Sequence, residues 1–171
     1  MKKNIDLTGQ SKAYYNSPLG LIEISGKENS ITSLYFVEEG LNNQFKSNLY
    51  LENCAAQLDE YFNGKRKDFD LKLEPEGSDF QRKVWNELLK IQYGETKSYL
   101  QMSKLIGDVL AIRAVANANG KNKISIVIPC HRVIGSNGSL TGYAGGLWRK
   151  KWLLQHEQKF NRGEKQTELF E

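Results

Sequence analysis

The chain has 171 residues, of which 39% are hydrophobic and 26% are charged, and its formal net charge is +4 at pH 7. That length predicts one domain or two small ones, and no apolar run approaches the 18 or more residues that a membrane span needs. The charge is uneven: residues 1–79 carry a net charge of −4 and residues 80–171 carry +8, which favours a polyanionic partner unless the lysines simply form a solvated surface.

The N-terminal part is patterned as a small sheet. The first six residues lack an apolar signal region, so we expect a protein of the cytoplasm in a prokaryote, or of the nucleus in a eukaryote. Residues 13–24 predict two short extended runs around the turn Ser17-Pro18-Leu19-Gly20, and residues 31–37 predict a third strand.

A helix and a charged linker follow the sheet. Residues 49–62 have an amphipathic helical pattern that ends near Asn63-Gly64, where glycine suits a left-handed cap. Cys54 lies inside this pattern, which favours a packed structural thiol. Residues 65–78 predict a further short strand and a linker.

A compositional shift at Ser78 begins a mostly helical part. Ser78 and Gln81 have the spacing of a capping box, which predicts the start of a helix. Four apolar residues then recur at helical spacing and predict one buried face: Phe80, Val84, Leu88 and Ile91.

Two short helices come next, and their connection is typical of a helix-turn-helix. The first covers Tyr99 to Ile106 and ends at Gly107, and the second covers about Val109 to Asn119. Ala111, Ala114 and Ala118 fall on one face of the second helix, where small residues allow close approach to a groove. Alanine is also simply a good helix former.

The run Ile126–Ile128 predicts a short buried strand that Pro129 ends. Residues 135–146 contain five glycines and predict a loop. A final helix is predicted from Leu147 to about Gln158, and the polar tail that follows is expected to be frayed.

Cys130 and His131, directly after that strand, are the candidate reactive pair. A free cysteine has a pKa of about 8.5, so a base or a cation nearby is needed to supply the thiolate. His131 is the candidate base, Arg132 adds positive potential, and Glu157 is the candidate acid that orients the imidazole. Neighbours in a strand face opposite ways, so the pair cooperates only if the backbone turns or a water links them. On these residues alone, a buried cysteine beside a surface histidine is an equal alternative.

The run Ile128-Pro129-Cys130-His131-Arg132-Val133 resembles the active-site signature of the methylated-DNA–protein-cysteine methyltransferases, also called 6-O-alkylguanine-DNA alkyltransferases. The resemblance is strong over residues 80–157 and weaker over 13–75. Further motifs fall in the family's order and approximate spacing: Phe80-Gln81-x-x-Val84-Trp85, Gly94-Glu95-Thr96-x-Ser98-Tyr99, Arg113-Ala114-Val115, Asn122, Gly142-Tyr143-x-x-Gly146 and Trp152-Leu153-Leu154-x-x-Glu157.

The resemblance implies direct, single-turnover repair of 6-O-alkylguanine, and of 4-O-alkylthymine, in duplex DNA. Cys130 attacks the alkyl carbon in an in-line displacement and keeps the alkyl group. The resemblance further implies that His131 acts as a base through a water, that Glu157 holds the imidazole, that Tyr99 donates to the ring nitrogen N3, and that Asn122 helps to order the site.

The resemblance also implies how DNA is bound. The damaged base is rotated out of the duplex, Arg113 fills the space it leaves, and the second helix enters the minor groove. The further candidates for DNA contact are Ser98, Ala111, Ile112, Ala114 and Ala116. The candidates for the substrate pocket are Trp85, Pro129, Tyr143 and Ala144. Ile112 stands where the family often has alanine, and Ala144 where a serine often contacts the base.

The implied fold is α+β, an α/β class in which the two kinds of element are segregated. Residues 1–77 form a small α/β domain with an antiparallel sheet and a linker, and residues 78–171 form a mostly helical alkyltransferase and DNA-binding domain with the helix-turn-helix. We expect a monomer whose partner is double-stranded DNA containing alkylated guanine, with no membrane, no cofactor and no metal.

Two other functions are weighed against alkyl transfer. One is a DNA-binding protein that senses alkyl lesions without turnover, and the other is an unrelated thiol hydrolase with a Cys–His pair. The family's non-catalytic relatives replace the nucleophile, whereas Cys130 is present here.

Overall fold

The computed structural model describes residues 9–39 and 46–161, so the predictions for the first six residues and for the tail after Asn161 lie outside the described residues. The chain divides into two compact units, Met1–Glu76 and Gly77–Glu171. The strands are β1 (Gln10–Ser17), β2 (Gly20–Lys27), β3 (Ser30–Val37), β4 (Lys97–Ser98) and β5 (Val133–Ile134). The α-helices are α1 (Leu49–Phe62), α2 (Asp79–Leu88), α3 (Tyr99–Ile106), α4 (Ile112–Gly120) and α5 (Leu147–Asn161).

The first unit is an antiparallel sheet in the order β1-β2-β3, with α1 packed against it. The predicted hairpin turn is present, and Gly20 takes a positive φ of 113° there. Alternate side chains of β2, Ile22 and Ile24, are buried, as a sheet with one covered face requires. Cys54 is fully buried in α1, and burial raises the pKa of its thiol to about 12, so it is a packing residue.

The predicted helix end is confirmed, but the predicted strand after it is wrong. Gly64, with φ of 69°, follows the end of α1 in the left-handed conformation. Of residues 65–78, only Leu73 pairs, in a single parallel bridge with Ile31. Pro75 cannot donate to a ladder, so the pairing does not extend.

The second unit is built on α2, α3 and α4, which pack on one another. The capping box of Ser78 and Gln81 is present at the start of α2. Val84, Leu88 and Ile91 are buried as predicted, whereas Phe80 is 36% exposed because it lies in the first turn of the helix.

The two short helices are confirmed, with one boundary corrected. Ser98 caps α3, and Gly107 ends it with φ of 96°. Helix α4 begins at Ile112 rather than near Val109. The reason is local, since the side chain of Asp108 accepts from the Leu110 N–H and holds the connection as a turn.

The predicted strand at Ile126–Ile128 is wrong, although all three side chains are buried. The segment is a turn, in which Ile126 has φ of 70° and the Val127 N–H donates to Ser125 O at 2.8 Å. A short apolar run is typical of a buried turn as much as of a buried strand.

The end of the second unit follows the prediction. The glycine-rich segment 135–146 is a loop, and α5 extends three residues beyond Gln158. In the described part of the chain, no helix combines the length and the apolar character needed to cross a bilayer.

Candidate active site

A single turn of 3-10 helix, Cys130–Arg132, presents the reactive pair. The Cys130 N–H donates to Ile128 O at 2.8 Å and the Arg132 N–H to Pro129 O at 3.0 Å, so the backbone turns at this point. This turn replaces the extended backbone that would send neighbouring side chains to opposite faces. The side chains of Cys130 and His131 are both buried, at 5% and 0% exposure.

Asn122 ties the buried turn to the sulfur. Its Nδ2 donates to Ile128 O at 2.8 Å and to the Cys130 Sγ at 3.1 Å. Its Oδ1 accepts from the Ile124 N–H at 3.0 Å. One side chain thus supplies the backbone partners that a neighbouring strand would have supplied, and it also donates to the sulfur.

Effects of opposite sign act on the pKa of the Cys130 thiol. Burial raises the pKa of Cys130, while the Asn122 hydrogen bond, the charge of Lys150 and the backbone N–H groups of Cys130 and His131 lower it. The pKa stays raised overall, so the resting sulfur is a thiol. Forming the thiolate therefore needs a base that accepts its proton.

His131 has the protonation state of such a base. Its Nε2 lies 2.7 Å from Glu157 Oε1. Burial lowers the pKa of His131 more than Glu157 raises it, so the imidazole is neutral. An ionised carboxylate only accepts, which puts the ring proton on Nε2 and leaves Nδ1 as an unprotonated acceptor. Among the described residues, this buried Nδ1 has no hydrogen-bond partner.

Glu157 is an ionised carboxylate that accepts several hydrogen bonds. Its two oxygens accept from Arg132 Nε at 2.9 Å and Nη2 at 3.0 Å, and from the Gly94 N–H at 3.1 Å, in addition to His131. Burial acts to raise the pKa of Glu157. His131 and Arg132 lower it by a larger amount, so the pKa of Glu157 lies well below its ordinary value. Arg132 also donates to Ile91 O at 2.6 Å, which anchors the 3-10 turn to the segment that follows α2.

Lys150 is a site residue that the sequence analysis missed. It is fully buried on α5, and its Nζ donates to Val133 O at 2.5 Å and to Thr141 O at 3.0 Å. Burial lowers the pKa of Lys150 to about 8, and Cys130 acts in the opposite direction. The spacing of the sequence could have revealed it, because Lys150 and Glu157 lie two helical turns apart on the same face of α5 as the buried Leu153.

A narrow cavity lies beside the sulfur. Tyr99 lies at the same end of the unit, where its hydroxyl donates to Thr141 O at 3.0 Å, and burial raises its pKa. The sequence analysis named Tyr143 and Ala144 for this pocket and missed Asn119 and Ser125. The cavity is lined by Asn119, Gly120, Asn122, Ser125, Cys130, Gly142, Tyr143 and Ala144.

Two residues predicted for the pocket lie elsewhere. Trp85 is 1% exposed in the core, and its indole N–H donates to Ala118 O at 2.8 Å, which joins α2 to α4. Pro129 is buried at the start of the 3-10 turn and does not line the cavity. Both were named from the family resemblance, since Trp85 belongs to the motif that begins at Phe80 and Pro129 belongs to the signature around Cys130.

The predicted DNA-contacting residues differ in exposure. Ile112, Arg113 and Ala114 are exposed on α4, and Ala111 and Ala116 are half-buried. Ala118, predicted on the same face as Ala111 and Ala114, is instead in the core beside Val115. The Ser98 hydroxyl accepts from the Gln101 N–H as the cap of α3.

Within residues 9–39 and 46–161, no three His, Cys, Asp or Glu side chains are grouped so that they could hold a metal ion.

Comparison with known proteins identifies similar chains. Family models described as 6-O-methylguanine DNA methyltransferase match here, the DNA binding domain at residues 79–159 and the ribonuclease-like domain at residues 11–75. The methylated-DNA–protein-cysteine methyltransferase of Methanosarcina barkeri is 46% identical over 153 residues, covering 85% of this chain and 97% of the relative. The crystal structure of Mycobacterium tuberculosis O6-methylguanine methyltransferase has a TM-score of 0.80 at 40% identity, covering 88% of this chain and 93% of that one. The same M. tuberculosis protein in complex with DNA gives a TM-score of 0.79 at 40% identity, with the same coverage.

Proposed function

The chain belongs to the 6-O-methylguanine DNA methyltransferase family, and from that premise we propose how its own residues carry out the repair reaction. The chain repairs DNA by taking an alkyl group from the 6-oxygen of guanine onto the sulfur of Cys130. The observation that carries the assignment is a buried thiol beside a neutral histidine, which is itself held by an ionised glutamate. This combination is what a cysteine nucleophile requires.

Proton transfer from the thiol is assigned to His131. The Cys130 proton passes to His131 Nδ1 through a water, and the imidazolium that forms is stabilised by Glu157 at 2.7 Å. Because Arg132 and Gly94 also hold that carboxylate, the ring is kept in one orientation. Asn122 donates to the sulfur at 3.1 Å and stabilises the developing thiolate.

The displacement itself balances in one step. The C–S bond forms as the bond between the alkyl carbon and O6 breaks, and the electron pair of that bond stays on guanine. Tyr99 supplies a proton or a hydrogen bond to N3 of the leaving base, for which its hydroxyl must leave Thr141 O. The product thioether is stable and nothing in the reaction removes it, so each molecule acts once.

Lys150 is assigned an electrostatic role in this reaction. Its ammonium group is fixed by two main-chain oxygens, and its charge opposes the rise in the pKa of the Cys130 thiol that burial causes. A fixed cation in a buried site stabilises a thiolate without reorganisation at the moment of reaction.

The alkylated base reaches the sulfur by leaving the duplex. Helices α3 and α4 act as a helix-turn-helix. The exposed residues of α4 enter the minor groove, namely Ile112, Arg113 and Ala114, and Ala111, Ala116 and Ser98 lie beside them. Arg113 occupies the space of the extruded base. The net charge of +8 on residues 80–171 supplies affinity for phosphates without sequence preference. The protein acts as a monomer on double-stranded DNA that contains alkylated guanine.

An intact-mass measurement tests the proposal. Duplex DNA with one 6-O-methylguanine is mixed with the protein, and we expect the mass of one methyl group on Cys130 and no second transfer when DNA is in excess. Cys54→Ala, which changes the other thiol, should react as the wild type does, and Cys130→Ser should gain no mass. DNA binding without a mass change would contradict alkyl transfer and favour a lesion-sensing protein.

A further inference from the structure

Asn119 presents a buried hydrogen-bond acceptor to the cavity that contains the Cys130 sulfur. The residue lies in the last turn of α4, is 3% exposed and lines the cavity. Its Oδ1 receives no hydrogen bond from the described residues. An unpaired buried acceptor is costly, so its position in a substrate cavity points to a partner on the substrate.

The orientation of the Asn119 amide is fixed by its neighbour. Its Nδ2 lies 3.4 Å from the main-chain oxygen of Cys130. A carbonyl oxygen only accepts, so the amide nitrogen must face it, and the reverse orientation would set two oxygens against each other. The atom left for another partner is therefore the oxygen.

The chemistry of the lesion supplies only one matching donor. Alkylation at the 6-oxygen removes the proton from N1 of guanine, so the ring nitrogens offer only acceptors and the 2-amino group is the donor that is left. In 6-O-methylhypoxanthine that amino group is absent, and 4-O-methylthymine has no donor on its ring. An acceptor in the pocket thus distinguishes alkylated guanine from both.

We propose that Asn119 is a specificity-determining residue, whose Oδ1 accepts a hydrogen bond from the 2-amino group of the extruded guanine. The inference rests on the function proposed above and names the base that the site prefers. A site built to hydrogen-bond a substrate group discriminates strongly against the analogue that lacks it, because its own polar atom is then left unpaired.

The test compares three lesions in the same duplex sequence: 6-O-methylguanine, 6-O-methylhypoxanthine and 4-O-methylthymine. Single-turnover methyl transfer to the protein is followed by intact mass for the wild type, for Asn119→Ala and for Asn86→Ala. Asn86 is an exposed residue of α2 and serves as the matched control. We expect the wild type to react about tenfold more slowly with the hypoxanthine lesion than with the guanine lesion. Asn119→Ala should lose about the same factor on 6-O-methylguanine alone, because the other two lesions never made the bond.

The outcomes separate the inference from the function on which it rests. Equal wild-type rates on the guanine and hypoxanthine lesions would overturn the role of Asn119 and leave alkyl transfer intact, and this comparison needs no variant. An equal slowing of all three lesions by Asn119→Ala would assign Asn119 a purely structural role and also overturn the inference. No methyl transfer from any lesion to the wild type would overturn both proposals.

Discussion

At the scale of single residues, the reactivity of a buried group depends on which neighbours oppose the change that burial makes in its pKa. Burial raises the pKa of both thiols, but only Cys130 has an amide donor and a cation to oppose the rise. The same burial lowers the pKa of His131 and keeps the ring neutral. Cys54 and Cys130 have the same side chain, so the difference in their reactivity comes entirely from their neighbours.

The pH dependence of transfer follows from the state of His131. Because its pKa lies below the ordinary 6.5, the imidazole still accepts a proton at pH 6.5, and the rate should fall only at lower pH, where the resting ring is protonated. The measurement is the rate of transfer from free 6-O-benzylguanine against pH, since this substrate needs no DNA binding. His156→Gln changes the other histidine and should leave the midpoint in place. A midpoint at or above pH 6.5 would contradict a buried neutral base.

At the scale of elements, the turn at 124–128 contains a residue with a strained backbone conformation. Ile126 has a β-branched side chain at φ of 70°, a left-handed conformation that costs about 1–2 kcal/mol for a residue with a Cβ. The side chain is 1% exposed, so core packing and the Asn122 hydrogen bonds hold the turn against this cost.

Two substitutions at Ile126 isolate the strain. Ile126→Ala and Ile126→Gly both lose the buried side chain, but only glycine relieves the backbone, so Ile126→Gly should be the more stable of the two by about 1 kcal/mol. At the neighbouring Val127 the order should reverse, with glycine about 0.5–1 kcal/mol less stable than alanine. Urea unfolding of the four variants makes the comparison. The same order at both positions would show that the turn is not strained.

The elements also show what the sequence could reveal. The start of helix α2 was predicted because its capping box is written in four consecutive residues, and α3 has the predicted bounds Tyr99–Ile106. The turn at 126–128 was predicted as a strand because its hydrogen bonds come from Asn122, whose role no local pattern records. Lys150 was missed because lysine is normally exposed, and its two oxygen partners come from separate segments of the chain.

The exposed face of α4 carries a prediction about base extrusion. Arg113→Ala should slow repair of duplex 6-O-methylguanine by at least about tenfold, because extruding the base costs a few kcal/mol that the arginine helps to offset. Transfer from free 6-O-benzylguanine should be unchanged, since nothing is extruded. Lys90→Ala removes the same charge from an exposed position after the end of α2 and should affect neither substrate strongly. Equal losses of Arg113→Ala on both substrates would reject the role in extrusion.

At the scale of the whole molecule, charge and chemistry are concentrated in the same half of the chain. Residues 80–171 carry the net charge of +8, the reactive turn and the exposed face of α4. Residues 1–79 carry −4 and a buried, unreactive Cys54. Attraction to DNA therefore belongs to the half that performs the reaction, and this half also undergoes the permanent covalent change.

Methylation of Cys130 should lower the stability of the protein. The Cys130 side chain is buried, so the added methyl group overpacks its surroundings at a cost of about 1–3 kcal/mol. For a chain of this size each kcal/mol lowers Tm by about 2–4 °C, so the methylated protein should melt at least about 2 °C lower. Calorimetry after reaction with 6-O-methylguanine duplex and removal of the DNA gives the value, and protein treated with undamaged duplex is the control. An unchanged Tm in fully methylated protein would mean that the cavity accepts the methyl group without strain.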